Sequence, residues 1–258
     1  MKYLRASHLA PTLLVTSLAF FLSHSLFNFQ KSLFIALAVF TGQLIVGWTN
    51  ELVDFDSDRA QGRLEKPLVS GELQKSSLLF ALWIDLPLCV GLSLFGPLGI
   101  RGGLLHLFGV GCGVSYNFFF KRTLLSVLPY TFAFAALPAT PFIARDAAPP
   151  VWMVIVGAGF GTIAHFANVL KDLEADREIG IYGLPQRVGF KYSISVCVLI
   201  LVLVTPMIAA HRPHFAAWAY LALIATLVAL VLRPKKIGFE VIMALALVDV
   251  LLTALVHN

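Results

Sequence analysis

Apolar residues run through this chain in long blocks with few polar interruptions. Nine blocks are long enough to cross a membrane as helices: 9–27, 31–50, 76–95, 99–118, 124–144, 150–170, 192–210, 214–232 and 237–256. A helix needs about 20 such residues to span roughly 30 Å of hydrocarbon. The first block follows Lys2 and Arg5, as a secretory leader would. It exceeds the roughly 7–15 apolar residues of a leader core, so it is taken as a retained helix. Connections are short except at 51–75 and 171–191. The expected fold is all-α: a polytopic membrane protein, a bundle of about nine transmembrane helices forming one domain over residues 1–258.

Composition agrees with the pattern. The chain is 59% hydrophobic and 13% charged, where soluble domains carry about 25% charged residues. No stretch is polar enough for a separate soluble domain. Cys89, Cys112 and Cys197 all fall inside apolar blocks. They show no metal-ligand spacing and no disulfide framework, and are expected to pack as small hydrophobes.

Basic residues give an orientation. Fifteen of the 19 Lys and Arg lie at the N-terminus and after the second, fourth, sixth and eighth blocks. Only Lys31, Arg101, Arg145 and Arg212 lie on the opposite side. By the positive-inside rule the basic side is cytoplasmic, and so is the N-terminus. The net charge of +5 follows from these loops and calls for no nucleic-acid partner.

The two long connections carry one pattern twice. The first copy is Asn50-x3-Asp54-x3-Asp58-Arg59-x2-Gly62, and the second is Asn168-x3-Asp172-x3-Asp176-Arg177-x2-Gly180. The copies sit four blocks apart, so both emerge on the same, cytoplasmic side, as in an internal repeat. Positions i, i+4 and i+8 share one face of an α-helix, drifting about 40° per step. Each copy therefore presents an amide and two carboxylates in a row. If the two helices face each other, four aspartates converge, with Asp56 and Glu174 beside them.

Carboxylates gathered at a membrane edge repel one another, and an anionic ligand would add to the repulsion. Divalent cations resolve both problems. Mg²⁺ takes oxygen ligands, one or two of them carboxylates, and fills its shell from phosphate and water. Lys and Arg in the same loops supply further neutralisation. The pattern thus points to a paired site holding metal ions against a phosphate-rich ligand.

These motifs resemble those of the UbiA superfamily of intramembrane prenyltransferases, typically N-D-x2-D-x3-D and D-x3-D. Asn50, Asp54 and Asp58 match the first, with Glu51 where many members have Asp. Asp172 and Asp176 match the second. Residues 65–71 (E-K-P-L-V-S-G) are similar to the family's basic-Pro-Leu-x-Ser-Gly segment, and residues 170–177 and 184–189 fit the second motif's usual context.

The resemblance implies that Asp54, Asp58, Asp172 and Asp176 hold Mg²⁺, which in turn holds the diphosphate of an isoprenyl diphosphate. Asn50, Lys66, Lys121, Arg122, Asn168 and Lys171 would bind the diphosphate. The allylic C–O bond would break in a pocket shielded from water. A hydrophobic, often aromatic, acceptor would then attack the cation. Tyr116 precedes Lys121 with Y-x4-K spacing, where the family commonly has Y-x3-K. Its ring or hydroxyl would serve the cation or the phosphate; the alternative is an anchor at the membrane boundary.

Gln43 and His165 lie on the motif faces, deeper in the membrane. They are candidates for the acceptor pocket or for interhelical hydrogen bonds. Asp85 and Asp249 belong to no matched motif, and His106 is expected to be a packed polar residue. Two other activities fit the same residues: a terpene cyclase on this scaffold and a divalent-cation transporter. A CDP-alcohol phosphotransferase is set aside, because its aspartates form one contiguous motif.

Overall fold

A computed structural model describes residues 1–170 and 172–232, with side chains excepted at 226 and 229–232. The expected ninth block, Lys171 and Asp249 lie outside the described residues. The order is α1 (Lys2–Ala6), α2 (Leu9–His24), α3 (Phe29–Ala60), α4 (Lys75–Phe95), α5 (Gly99–Ser115), a π-helical turn (Tyr116–Phe120), α6 (Val127–Ile143), α7 (Val151–Leu170), α8 (Leu173–Glu178), α9 (Leu184–His211), a 3-10 turn (Pro213–Phe215) and α10 (Ala216–Leu232). Among the described residues the regular structure is wholly helical. Among the described residues five helices are long and apolar enough to cross a membrane: α3, α4, α5 with its π-turn, α7 and α9. The apolar helices α2 and α6 are shorter, at 16 and 17 residues.

The chain divides into two compact units. The first holds Met1–Phe118 and Thr140–Ala148, and the second Phe119–Ala139 and residues from Pro149 onward. In the first unit α2, α4 and α5 all pack on α3. The Asn28 side chain caps the start of α3 by accepting the Lys31 N–H at 3.0 Å, which satisfies one of the helix's orphan donors. Nothing breaks the helix for 32 residues, so the first motif continues as its last turns. It stops at Gln61, before Gly62 with φ 68°.

The segment after α3 folds back on it. Leu68 and Leu73 bury against Leu44, Trp48 and Leu78. Each such burial is worth roughly 1.5–3 kcal/mol where the alternative is water. This apolar anchoring brings the Lys66-Pro67 segment beside the motif. Phe80, Trp83 and Leu88 on α4 stay on the outer surface, as lipid-facing side chains do.

In the second unit α7 and α9 form one seam. Val156, Phe160, Ile163 and Ala167 face Cys197, Leu201, Val204 and Ile208. Both sets follow i, i+4, i+7, i+11, the spacing of a helix stripe. Cys197 is fully buried here, as Cys89 is in the first unit. Helix α6 joins α7 through the Thr131 and Thr162 hydroxyls at 2.8 Å. Gly161 permits this approach, since a Cβ there would collide with the Tyr130 carbonyl. Element α9 is broken at Gly189, whose φ of 83° only glycine adopts readily.

Candidate functional site

The first motif has the helical geometry expected of it. Asn50 Nδ2 donates to Asp54 Oδ2 at 2.9 Å, one turn along α3. Asp58, a further turn on, is 5% exposed. Its carboxylate lies 3.5 Å from Arg63 Nη1 and 3.6 Å from Lys66 Nζ. Glu51 is buried on the same helix. Its Oε2 lies 3.3 Å from Lys66 Nζ, and its Oε1 accepts the Leu68 N–H at 3.2 Å. Lys66 therefore stands between two carboxylates, held by the folded-back segment. Asp56 lies 3.9 Å from Lys75 in an exposed pair, a contact of little energetic weight.

Two residues outside the motif also reach it. His8 Nε2 is 2.9 Å from Asn50 Oδ1. Asn117 Oδ1 is 3.4 Å from Asn50 Nδ2, while Asn117 Nδ2 donates to the Val46 carbonyl at 2.9 Å. Asn117 lies in the π-turn, next to buried Tyr116. A π-turn closes i→i+5 bonds instead of i→i+4, so it takes up one extra residue. Lys121 thus follows Tyr116 by one helical turn.

The second motif departs from the expectation of one continuous face. Helix α7 carries Asn168 and ends at Leu170, and Asp172 begins the separate helix α8. Glu174 and Asp176 sit in the first turn of α8, where unpaired amides favour negative charge. That preference supports a new helix start over a continuation of α7. Asp176 Oδ2 accepts from Gln186 Nε2 at 2.8 Å. The Arg177 guanidinium donates to the Gln186 carbonyl, from Nε at 2.8 Å and also from Nη2. Lys121 is half-buried and Arg122 exposed, in the connection before α6.

A family model described as the UbiA prenyltransferase family matches residues 9–237. The chain belongs to this family. Solved structures agree on the UbiA fold. A UbiA homolog from Archaeoglobus fulgidus bound to DMAPP and Mg²⁺ matches with a TM-score of 0.72 at 16% identity, covering 97% of this chain and 99% of that one. The apo UbiA homolog from Aeropyrum pernix K1 gives 0.74 at 17% identity, with 93% and 96% covered. A digeranylgeranylglyceryl phosphate synthase gives 0.69 at 17% identity, with 98% and 95% covered. No curated protein matches the chain. The apolar helices and the family together make it an integral membrane protein.

The residues present suit the divalent metal of a UbiA site. Among the described residues no three His, Cys, Asp or Glu side chains form a ready-made metal group. Mg²⁺ needs none, since it combines one or two carboxylates with phosphate and water. Asp54 and Asp58 on one motif, and Asp172 and Asp176 on the other, offer such oxygen donors. The first motif also carries the cations an anionic ligand needs, Lys66 and Arg63.

The two acceptor candidates differ in setting. Gln43 is half-buried on α3. His165 is 1% exposed, with Nε2 3.1 Å from Ser126 Oγ and its ring 5.2 Å from that of Tyr130. Ser126 Oγ also accepts the Leu184 N–H at 3.0 Å. His165 is thus part of a buried tie joining α7 to the approaches of α6 and α9. His106 pairs with Ser93 Oγ at 2.8 Å, as a packed polar residue does. Asp85 is buried in α4.

His8, Asn117 and Gln186 were not among the expected site residues. Gln186 lies within the second motif's family context and Asn117 adjoins Tyr116, so both had a local signal. His8 had none.

Proposed function

We propose that this protein is a Mg²⁺-dependent intramembrane prenyltransferase. It moves an isoprenyl group from an isoprenyl diphosphate to a hydrophobic, aromatic acceptor. The observation that carries this reading is the first motif. In a UbiA-family chain, carboxylates and cations lie 3.3–3.6 Å apart at the end of a membrane helix. Both motifs work at the cytoplasmic edge, with the N-terminus inside, and residues 1–258 act as one catalytic domain of about nine spans.

In this reading Asp54, Asp58, Asp172 and Asp176 hold the metal. Bound Mg²⁺ supplies charge stabilisation to the departing diphosphate. Lys66, now shared by Glu51 and Asp58, is placed to change partner to a phosphate oxygen, and Asn50, Asn168, Lys121, Arg122 and Lys171 complete the anion site. The Tyr116 ring stabilises the allylic cation. Apolar helices keep water from that cation, which the acceptor then captures with loss of a proton. Gln43 and His165, the latter sharing its Nε2 with Ser126, are the acceptor contacts of this reading. Some structures of the Archaeoglobus homolog contain DMAPP or GPP with Mg²⁺. That supports an isoprenyl diphosphate as donor here and leaves the acceptor to experiment.

The test is diphosphate release by protein purified in detergent or lipid. It is run with Mg²⁺ and isoprenyl diphosphates of several lengths, with and without aromatic acceptors. Release is expected to require an acceptor. It should fall about 100-fold or more in Asp54→Ala and Asp172→Ala, the scale of losing one charge-stabilising group. Acceptor-independent release yielding a hydrocarbon would make the protein a terpene cyclase. Metal binding without any release would favour divalent-cation transport.

A further inference from the structure

Hydrogen-bond chemistry forces the orientation of the Asn50 amide. Asn117 Nδ2 lies 2.9 Å from the Val46 carbonyl and 3.0 Å from Thr49 Oγ1. A backbone carbonyl only accepts, so Asn117 turns its NH₂ that way and its Oδ1 toward Asn50. Asn50 Nδ2 meets that Oδ1 at 3.4 Å and Asp54 Oδ2 at 2.9 Å. Both are acceptors, so one N–H of Asn50 goes to each. Its own Oδ1 must then face the other way, where His8 Nε2 stands at 2.9 Å. An amide oxygen only accepts, so His8 presents an N–H at Nε2. Lys66 Nζ lies 3.4 Å from the same ring nitrogen, but its three N–H donors have the Glu51 carboxylate at 3.3 Å and that of Asp58 at 3.6 Å to turn to, so it does not need Nε2 as an acceptor.

The backbone is arranged to bring His8 there. His8 has φ 56° and ψ 66°, a left-handed conformation between α1 and α2. Such a conformation costs a non-glycine residue roughly 1–2 kcal/mol, and it persists only when its surroundings enforce it. Trp48 Nε1 donates to the Tyr3 carbonyl at 2.8 Å, pinning α1 to α3. One residue before His8, the Ser7 backbone lies so close to Gly47 that a Cβ there would sit 2.5 Å from the Ser7 oxygen. Thr12 Oγ1 donates to the same Ser7 oxygen at 2.8 Å. The turn is fixed on both sides, and its outcome is one imidazole N–H aimed at the motif's amide.

We propose that His8 is a positioning residue for the first motif. By donating to Asn50 Oδ1 it holds the amide so that its N–H points at Asp54 Oδ2, which fixes the Asp54 carboxylate for the metal. The proposal rests on the reading of Asp54 as a Mg²⁺ ligand. Groups that orient a ligand in this way typically change metal affinity by about 10–100-fold.

The test is Mn²⁺ binding to the purified protein, followed by electron paramagnetic resonance without diphosphate, together with the melting temperature of the metal-free protein. His8→Gly removes the ring while suiting the left-handed backbone. His8→Leu removes the donor and keeps bulk. His8→Gln restores an N–H donor near the position of Nε2. His8→Gly and His8→Leu should bind Mn²⁺ about tenfold more weakly, with His8→Gln close to wild type.

Wild-type binding in His8→Gly and His8→Leu, beside weakened binding in Asp54→Asn, would overturn the role of His8 alone. Wild-type binding in Asp54→Asn would overturn the reading of Asp54, and this proposal with it. Failure of His8→Gln to restore binding, at an unchanged melting temperature, would show that the N–H donor is not what matters.

Discussion

Glu51 stands where the family's first motif often has Asp, and the longer side chain has a use. Its two oxygens reach different targets: the Leu68 N–H at 3.2 Å and the Lys66 ammonium at 3.3 Å. One carboxylate thus closes the folded-back segment and sets a cation beside Asp58. Removing it would leave the buried Leu68 N–H without its acceptor, at a cost of about 1–3 kcal/mol. Glu51→Ala should melt correspondingly lower in detergent. Glu51→Gln, whose amide oxygen still accepts the Leu68 N–H, should recover much of that loss. A thermal melt of the two variants decides. At this scale the sequence offered the candidate residues but not their partners. Asn50 and His8 are 42 positions apart, and Asn50 and Asn117 are 67 apart. No local pattern couples positions so distant.

Among the elements, α3 and the π-turn show the two ways a motif can be presented. Continuous α3 keeps Asn50, Asp54 and Asp58 on one face because no residue within it interrupts the helix. The π-turn directs Asn117 at α3. The second motif has the same spacing but breaks between α7 and α8, so i, i+4, i+8 alone did not fix its geometry. Close backbone approach also acts at this scale. Gly47→Ala should push α1 off α3 and destabilise the protein by about 1–3 kcal/mol, the range for overpacking. Thermal unfolding would register the loss. Val46→Ala, at the preceding residue, is the comparison for a change of volume without that collision.

For the whole molecule, the distribution of Lys and Arg makes an external prediction. If the basic side is cytoplasmic, both motifs open there. In a variant lacking Cys89, Cys112 and Cys197, a cysteine at Ser57 should react with a membrane-impermeant maleimide in inside-out vesicles but not in right-side-out ones. A cysteine at Asp146, beside Arg101 at 2.6 Å, should show the reverse. The reversed pattern would overturn the orientation, and labelling of both positions from one side would overturn the odd number of spans between them.

The sequence by itself determined the class of molecule and the chemistry available to it. Long apolar blocks must become helices in lipid, because no water is present to satisfy an open backbone. Oxygen donors repeated at helical spacing, with Lys and Arg nearby, mark the candidate site. Tertiary structure decided which groups support which: Glu51 under Lys66, Ser126 under His165, Gln186 on Asp176, and His8 and Asn117 on Asn50. Hydrogen-bond direction and close packing operate between residues far apart in the chain, and they take definite values only once the helices have docked.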